Sequence, residues 1–343
     1  MRIAIVNDMK MAVEVMRRII TTVQGYEVAW IAKDGKEAVS RCADDVPDLI
    51  LMDLIMPEMN GVEASRNIMA NSPCPILVVT ASVTANAAKV FEAMSVGALD
   101  AVSTPILGTS GEADGKNELL KKIRTIGKLI DADRKKTSLN LSVSPKPDTS
   151  DKCLLALGAS TGGPAALIKI LSTLPKDLPA AVVIVQHVDE NFSQGFADWL
   201  GEYSKLPVRL AMDGDRLNHG TVLVAGTNNH LYINERSCLV YKENPLQTPY
   251  RPSVDVFFNS ILKNWGGKAV AALLTGMGKD GADGLLQLKQ NGIYTVAQNA
   301  ETCRVYGMPK AAVELNAAVD ILPIDDIAEA LTKKILAYQI KSK

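Results

Sequence analysis

Apolar residues in the first 105 positions form short continuous runs that alternate with stripes at helical spacing. The runs are typical of buried strands, and they lie at 2–6, 28–32, 49–52, 76–79 and 101–103. The stripes predict helices at 10–23, 36–43, 62–70 and 85–94, with a last helix at 118–130. Five βα repeats predict an α/β fold with a doubly wound, five-stranded parallel sheet. Sites in such sheets lie at the carboxyl ends of the strands.

The pattern changes after residue 134. Positions 135–152 have few large apolar residues and no periodicity, which predicts a linker. From Cys153 onward, a second α/β pattern has predicted strands at 154–157, 181–185, 222–225 and 270–274, and helices at 311–315 and 327–337. We therefore expect two domains, 1–134 and 153–343, joined by this linker, the second with a mainly parallel sheet.

Composition is that of an ordinary globular protein, with 47% hydrophobic and 22% charged residues and a net charge of −1. This balance argues against nucleic acid as a partner and against a transcription-factor output. The chain starts with polar residues too early for a signal peptide and has no bilayer-length apolar run, so we expect no membrane insertion and a cytoplasmic location. The five scattered cysteines predict neither disulfides nor a metal cluster, but buried small hydrophobes.

Acidic residues follow two strands of the first predicted sheet. Asp8 comes after strand 2–6 and Asp53 after strand 49–52, so both carboxylates lie at one sheet edge and suit Mg²⁺. Thr80 ends the fourth strand, where its hydroxyl can bond an oxygen attached to Asp53. The alternative is that both aspartates only cap the helices that follow them.

The run Asp53-Leu54-x-Met56-Pro57-x-Met59-x-Gly61 resembles the response-regulator receiver family, whose fold is flavodoxin-like. The resemblance implies that Asp53 accepts phosphate from a histidine kinase, and that Asp8, Asp53 and the Ile55 carbonyl hold Mg²⁺. Two departures matter. Asn7-Asp8 replaces the family's usual acidic pair, and Thr104 and Ala101 stand where the family has a lysine and an aromatic switch residue. Phosphorylation at Asp53 is still expected, but how it is communicated stays open.

Ser160 lies where an apolar strand breaks at glycines and re-enters as a helix, in Gly158-Ala159-Ser160-Thr161-Gly162-Gly163-Pro164. Such a turn exposes a hydroxyl beside free backbone N–H groups, as a nucleophilic serine requires. The alternative is a glycine-rich turn with a serine N-cap. His187 ends the apolar run 180–186 and is the expected base, because His219 and His230 lie in polar, loop-like surroundings.

An orienting carboxylate is predicted in the glycine-dense loop after strand 270–274. Asp280 could hold His187 in the required tautomer, with Asp283 as the competing choice, and either could instead be an N-cap. The backbone N–H groups of Thr161 and Met277 could form an oxyanion hole. The order Ser, His, Asp differs from that of α/β-hydrolases, but geometry defines a triad.

These segments, with Gln186-His187, Arg251-Pro252-Ser253-Val254-Asp255 and Tyr306-Gly307-Met308-Pro309, resemble the chemotaxis protein-glutamate methylesterase family. The resemblance implies a receiver (1–134), a linker (135–152) and a methylesterase domain (153–343), with the triad Ser160, His187 and Asp280. It implies hydrolysis, without a cofactor, of γ-glutamyl methyl esters on cytoplasmic helices of chemoreceptors, and deamidation of receptor glutamines. It further implies recruitment to receptor arrays and a receiver that covers the catalytic face until phosphorylated. The divergent receiver resembles the Wsp-type branch.

Two other functions compete with this one. A nucleotide-dependent dehydrogenase is disfavoured because the glycines fail the G-x-G-x-x-G spacing and the next strand ends in His187 instead of an acid. A non-catalytic, phosphorylation-controlled signalling scaffold is the second alternative. Arg251 either helps to bind the acidic receptor surface or is an ordinary surface arginine.

Overall fold

The computed structural model describes residues 1–83, 86–107, 113–131, 152–246, 248 and 250–340. Its contacts divide the chain into two compact units, Met1–Lys135 and Lys136–Lys343. The predicted linker 135–152 falls outside the described residues except for Lys152. Within the described part of the chain, no helix has the length and apolar character needed to cross a bilayer.

The first unit contains a five-stranded sheet in the order β2-β1-β3-β4-β5, with every neighbouring pair parallel. Its strands are β1 (Arg2–Val6), β2 (Glu27–Ala32), β3 (Leu49–Met52), β4 (Ile76–Thr80) and β5 (Asp100–Ser103). The helices are α1 (Lys10–Thr21), α2 (Gly35–Asp44), α3 (Gly61–Asn71), α4 (Ala87–Ser95) and α5 (Lys116–Asp131). A small antiparallel pair, β6 (Ile106–Leu107) and β7 (Ala113–Asp114), precedes α5 and was not predicted.

Continuous apolar runs gave the right strands because the sheet is covered on both faces. Every residue of β3 and β4 is buried, as expected where helices pack on each side. Asp34 and Asn60 cap α2 and α3 by accepting hydrogen bonds from Glu37 N and Glu63 N. The predicted α/β fold is confirmed. Helix α4 begins two residues later than predicted, and residue 85 of that prediction lies outside the described residues.

The second unit contains a seven-stranded sheet in the order β10-β11-β9-β8-β14-β15-β16, again with all neighbouring pairs parallel. Its strands are β8 (Cys153–Ala159), β9 (Ala181–Gln186), β10 (Val208–Leu210), β11 (Val222–Val224), β14 (Lys268–Leu273), β15 (Tyr294–Gln298) and β16 (Asp320–Leu322). The helices are α6 (Gly163–Thr173), α7 (Glu190–Tyr203), α8 (Val254–Asn264), α9 (Ala282–Gln290), α10 (Met308–Glu314) and α11 (Ile324–Ile340).

Strands β12 (His230–Ile233) and β13 (Leu239–Lys242) form an antiparallel hairpin outside this sheet, and β12 packs against α8. Leu231, Ile233 and Leu239 join a buried cluster with Phe257 and Ile261 of that helix. The hairpin thereby fixes α8, whose first turn reaches the candidate site. The expectation of five buried cysteines is wrong in part: Cys42, Cys74 and Cys153 are buried, whereas Cys238 and Cys303 are half-buried on short loops.

Candidate active site

Ser160 follows β8 directly and lies in a tight turn before α6. Gly162 adopts φ +80° and forms the N-cap of α6, while Pro164 occupies its first turn. A Cβ on Gly162 would lie 2.4 Å from Cβ of Arg304, so the turn needs glycine on steric grounds as well. The N-cap has no side-chain hydrogen bond, so Ser160 does not act as the cap.

Three neighbouring strands of the second sheet, β9, β8 and β14, end at the same level, beside Ser160. In the register, Ala159 pairs with Gln186 on one side, and Gly158 pairs with Leu273 on the other. His187 N donates to Ala159 O at 3.1 Å, and Ser160 N donates to Thr275 O at 3.1 Å. Parallel strands therefore bring the segments after β8, β9 and β14 to one carboxyl edge, where such folds place their sites.

His187 and Asp280 are joined directly. Nε2 of His187 lies 2.8 Å from Oδ2 of Asp280, and both side chains are at most 10% exposed. Asp283, the competing choice, lies in the first turn of α9. The structure thus pairs the imidazole with the first of the two aspartates.

Asp280 is held at the N-terminus of α8. Its Oδ1 accepts from Ser253 Oγ at 2.7 Å and from Asp255 N at 3.2 Å, and its Oδ2 accepts from Val254 N at 2.6 Å. Burial pushes the pKa of Asp280 upward, but the hydrogen bond and charge of His187, with the Ser253 and Val254 bonds, hold it below the usual range. Burial and the Asp280 charge raise the pKa of neighbouring Asp255 instead. Within this pair, ionisation is therefore favoured at Asp280 over Asp255.

The other ring nitrogen of His187 is unused. Nδ1 is buried and has no hydrogen-bond partner among the described residues. Ser160 Oγ likewise makes no hydrogen bond within the described part of the chain. The structure brings the two residues to adjacent strand ends without bonding them, and such bonds often form only when substrate binds.

Two backbone N–H groups flank Ser160 without partners. Across the described residues, neither Thr161 N nor Met277 N donates a hydrogen bond. Thr161 is fixed through its carbonyl, which accepts from Thr275 Oγ1 at 2.9 Å. Gly276, just before Met277, packs so closely that a Cβ there would lie 2.7 Å from Ser160 Cβ. Both N–H groups therefore lie close to the Ser160 turn and are available to an oxyanion.

The two remaining histidines lie elsewhere. His219 Nε2 accepts from Cys153 N at 3.3 Å, at the opposite end of β8. The expectation that His230 lies in a polar loop is wrong: it begins β12 and is fully buried. Its Nδ1 accepts from Ser253 N at 3.1 Å, and its Nε2 lies 3.2 Å from Pro245 O. His230 thus supports the residue that holds Asp280.

Several residues that position the site were not assigned a role from the sequence. Gln186 Nε2 donates to Ser160 O at 2.9 Å, and Thr275 N donates to Gln298 Oε1 at 2.9 Å. Ser253 supports Asp280, and the ring of Tyr250 stacks on His187. Ser253 belongs to the Arg-Pro-Ser-Val-Asp run, where a serine before a helix was a readable cap signal. Arg251 of that run donates to Leu246 O at 2.9 Å.

Surface cavities lie at both ends of the second unit. One of about 360 Å³ borders the Ser160 turn and is lined in part by Gly162, Thr275 and Arg304. A larger one of about 480 Å³, lined in part by Tyr232 and Lys263, lies by the C-terminal end of α8. Among the described residues, neither cavity is lined by His187 or Asp280, so chemistry and not cavity size identifies the site.

In the first unit, Asp53 lies at the carboxyl end of β3. Its Oδ1 accepts from Leu54 N at 2.7 Å, and its Oδ2 accepts from Asn7 Nδ2 at 3.0 Å. Burial, and then the charge of the exposed Asp8, raise the pKa of Asp53 to about 6. Two carboxylates thus share this edge, which adjoins β1 through the register Val6 with Met52.

The remaining receiver positions lie on β4, β5 and the loop after β3. Thr80 is buried at the end of β4, and its Oγ1 accepts from Asn86 Nδ2 at 3.2 Å. Thr104, which stands at the position of the family's lysine, lies beside this strand end, where its N donates to Thr80 O at 2.9 Å. Ala101 is buried in β5, and Ile55 is half exposed. No cluster of three or more His, Cys, Asp or Glu residues suited to a metal occurs in the described ranges.

Known proteins match this chain over nearly its whole length. The family model for the response regulator receiver domain matches residues 3–109, and that for the CheB methylesterase matches residues 155–331. A Burkholderia thailandensis protein named protein-glutamate methylesterase/protein-glutamine glutaminase 4 is 52% identical and covers 96% of each chain. A Pseudomonas aeruginosa protein of the same name, numbered 3, is 50% identical over 97% of this chain and 99% of its own.

A solved structure supports the second unit. The Thermotoga maritima CheB methylesterase catalytic domain is 35% identical, with a TM-score of 0.52, and covers 54% of this chain and all of that one. With the two family models and the full-length relatives, this likeness shows that the chain belongs to the CheB methylesterase family and carries an N-terminal response regulator receiver domain.

Proposed function

We propose that this chain is a phosphorylation-regulated protein-glutamate methylesterase. Its substrates would be γ-glutamyl methyl esters on cytoplasmic helices of chemoreceptors, and it would also deamidate receptor glutamines. The observation that carries the proposal is the 2.8 Å bond between His187 and Asp280 at the sheet edge next to Ser160. The names of the full-length relatives supply the substrate class. We assign the boundaries 1–134, 135–152 and 153–343 to receiver, linker and esterase.

In acylation, Ser160 Oγ attacks the ester carbonyl and His187 takes its proton. Because Asp280 holds Nε2, Nδ1 is the nitrogen that receives this proton. Asp280 fixes the tautomer and stabilises the imidazolium. The N–H groups of Thr161 and Met277 bind the oxyanion, and the tetrahedral intermediate then expels methanol, protonated from Nδ1.

Deacylation repeats these steps with water. His187 Nδ1 removes a proton from water as it attacks the acyl-enzyme, and returns it to Ser160 Oγ as the free glutamate leaves. With a glutamine substrate the same groups release ammonia, so both substrates give the same acyl-enzyme. These steps use groups of the chain alone.

For the receiver we propose that Asp53 accepts phosphate from a histidine kinase, with Thr80 as the switch residue. The residues fit a divalent cation, because the charge of Asp8 disfavours ionised Asp53 and a cation would relieve that repulsion. Asp8, Asp53 and the Ile55 carbonyl would hold Mg²⁺, which neutralises charge on the phosphoryl group when bound. Asn7 supplies a donor to Asp53 where the family has a second carboxylate.

The regulation we propose is release of a covered catalytic face on phosphorylation, in the cytoplasm at receptor arrays. Thr104 and Ala101 lack the ammonium and the aromatic ring that usually report the phosphoryl group, so the response of this chain should be smaller than is usual for its family. Assignment to the Wsp-type branch stays a prediction.

The test is methanol release from methyl-labelled receptor membranes by the purified chain. Ser160→Ala should abolish release because no other group in the mechanism can form the acyl-enzyme. Ser193→Ala is the matched control, since that serine is also buried but, within the described residues, its hydroxyl bonds just the Asp189 carbonyl beside its own helix. Full turnover by Ser160→Ala would overturn the proposal. An inactive wild type, with and without phosphodonor, would favour the scaffold.

A further inference from the structure

The aromatic ring of Tyr250 lies flat against the imidazole of His187. Their centroids are 4.4 Å apart and their planes differ by 4°. Tyr250 is half-buried in the segment between β13 and α8, far in sequence from His187. This stacking is therefore a feature of the tertiary fold and not of neighbouring residues.

The tyrosine also reaches the loop that carries Asp280. A Cβ on Gly278 would lie 2.6 Å from the Tyr250 hydroxyl, so this glycine, at φ +79°, leaves room for the phenol. Burial and the Asp280 charge raise the pKa of Tyr250, which keeps the ring neutral. A neutral ring thus spans the space between His187 and the Asp280 loop.

His187 needs such support because only one of its nitrogens is held. Nε2 bonds Asp280, whereas Nδ1 has no partner in the described residues. A ring tethered at one nitrogen can still tilt and swing the other nitrogen away from Ser160. A flat surface against its face restrains that motion, and an aromatic surface also attracts the positive charge that the imidazole acquires during catalysis.

We propose that Tyr250 is a positioning residue for His187: its ring holds the imidazole plane so that Nδ1 stays available to Ser160, and its face stabilises the imidazolium. The inference rests on the proposed esterase function. It assigns the effect to the ring and none of it to the hydroxyl. It therefore predicts that phenylalanine can replace Tyr250 and that an aliphatic side chain cannot.

Kinetics of the full chain provide the first test. Tyr250→Leu should lower kcat about 5- to 30-fold and change KM less than about twofold, because the ring acts on the base and not on substrate binding. Tyr250→Phe should keep at least half of the wild-type kcat. Tyr232→Leu is the matched control, since it removes another half-buried tyrosine of the same unit, one that lies against Lys242. It should leave kcat within twofold.

Proton NMR of the wild-type histidine rings gives a readout that needs no turnover. The chain has three histidines, so the His187 ring protons can be assigned by their loss in His187→Gln. Stacking should shift them upfield, and Tyr250→Leu should return them toward the positions of an unstacked imidazole. Unshifted wild-type signals would overturn the inference even if Tyr250→Leu failed to fold.

The kinetic outcomes separate this inference from the function on which it rests. A wild type that releases no methanol contradicts the esterase itself. If the wild type is active, equal kcat in Tyr250→Leu overturns only the role of Tyr250. Equal losses in Tyr250→Phe and Tyr250→Leu would also overturn it, because they would assign the effect to the hydroxyl.

Discussion

Asparagine at position 280 tests the proposed triad most sharply, because the structure leaves its amide no good orientation. Each oxygen of Asp280 accepts a backbone N–H: Oδ1 from Asp255 and Oδ2 from Val254. Whichever way the amide is turned, its NH₂ group meets one of these donors. If it replaces Oδ2, it also faces His187 Nε2 and favours the tautomer with a proton on Nδ1. That tautomer cannot accept the proton of Ser160. If the NH₂ group replaces Oδ1, the tautomer is kept, but the neutral amide no longer stabilises the charge of the imidazolium.

Both activity and stability should fall. A wrong tautomer in a serine triad lowers kcat by roughly 10³- to 10⁴-fold, or about 4–5.5 kcal/mol of barrier. The buried donor left facing NH₂ should cost about 1–3 kcal/mol of unfolding free energy. We expect Asp280→Asn to show both losses, measured by methanol release from labelled receptor membranes and by urea unfolding of the same preparation.

Asp283→Asn is the matched control, because Asp283 lies in the same loop-to-helix segment and was the competing choice from the sequence. It should keep kcat within about threefold. The reasoning is refuted if Asp280→Asn, folded by its unfolding curve, retains more than about a tenth of wild-type kcat. It is equally refuted if Asp283→Asn carries the loss.

Three further outcomes follow from the structure. Asp53→Asn should block labelling of the receiver by a small phosphodonor. The control Asp100→Asn, which replaces an aspartate paired with Lys122, should still be labelled. Persistent labelling of Asp53→Asn would show that another residue accepts the phosphate. Gly163→Ala should lower the unfolding free energy by about 1–3 kcal/mol, because its Cβ would lie 2.0 Å from Gln186 Oε1. Gly201→Ala in α7, whose Cβ would make only an ordinary contact with Val208, should be neutral or stabilising, and equal unfolding curves for the two variants would contradict this. Burial lowers the pKa of His230 below 6.5 in the folded chain, so its contribution to stability is complete above pH 6.5 and is lost as the pH falls toward the pKa of the folded state. Between pH 7.5 and 5, the unfolding free energy should therefore fall more steeply for wild type than for His230→Gln. Parallel curves would exclude His230 as the cause of the pH dependence.

Much of the fold could be predicted because both sheets are parallel and buried. Most of their strands are continuous apolar runs, and β3 and β9 end where a polar residue reaches the carboxyl edge, as with Asp53 and His187. The edge strands β10 and β16 were missed because each has three half-buried or exposed residues and no apolar run. The hairpin β12–β13 was missed because its short strands carry mixed residues such as His230 and Tyr232.

The site was less predictable because its support comes from tertiary contacts. Strand order decides which loops meet at Ser160, and local periodicity does not reveal that β14 lies beside β8. The family resemblance implied Asp280, but the local pattern left Asp283 open, and the physical reason for the choice lies in α8, whose first turn donates to Asp280. Stacking of Tyr250 on His187 joins residues with no shared pattern, so no spacing in the sequence could have indicated it.

The position of α8 also explains how one buried carboxylate stays charged. Burial alone would raise the pKa of Asp280, but the first turn of α8 presents two N–H donors and the Ser253 hydroxyl to its carboxylate. The positive end of the helix dipole adds to their effect. His230 in turn fixes Ser253 by accepting its backbone N–H. An aspartate that is already ionised can stabilise the imidazolium as it forms, and the surrounding groups need not rearrange. The fold therefore preorganises the electrostatics of the site before substrate binds.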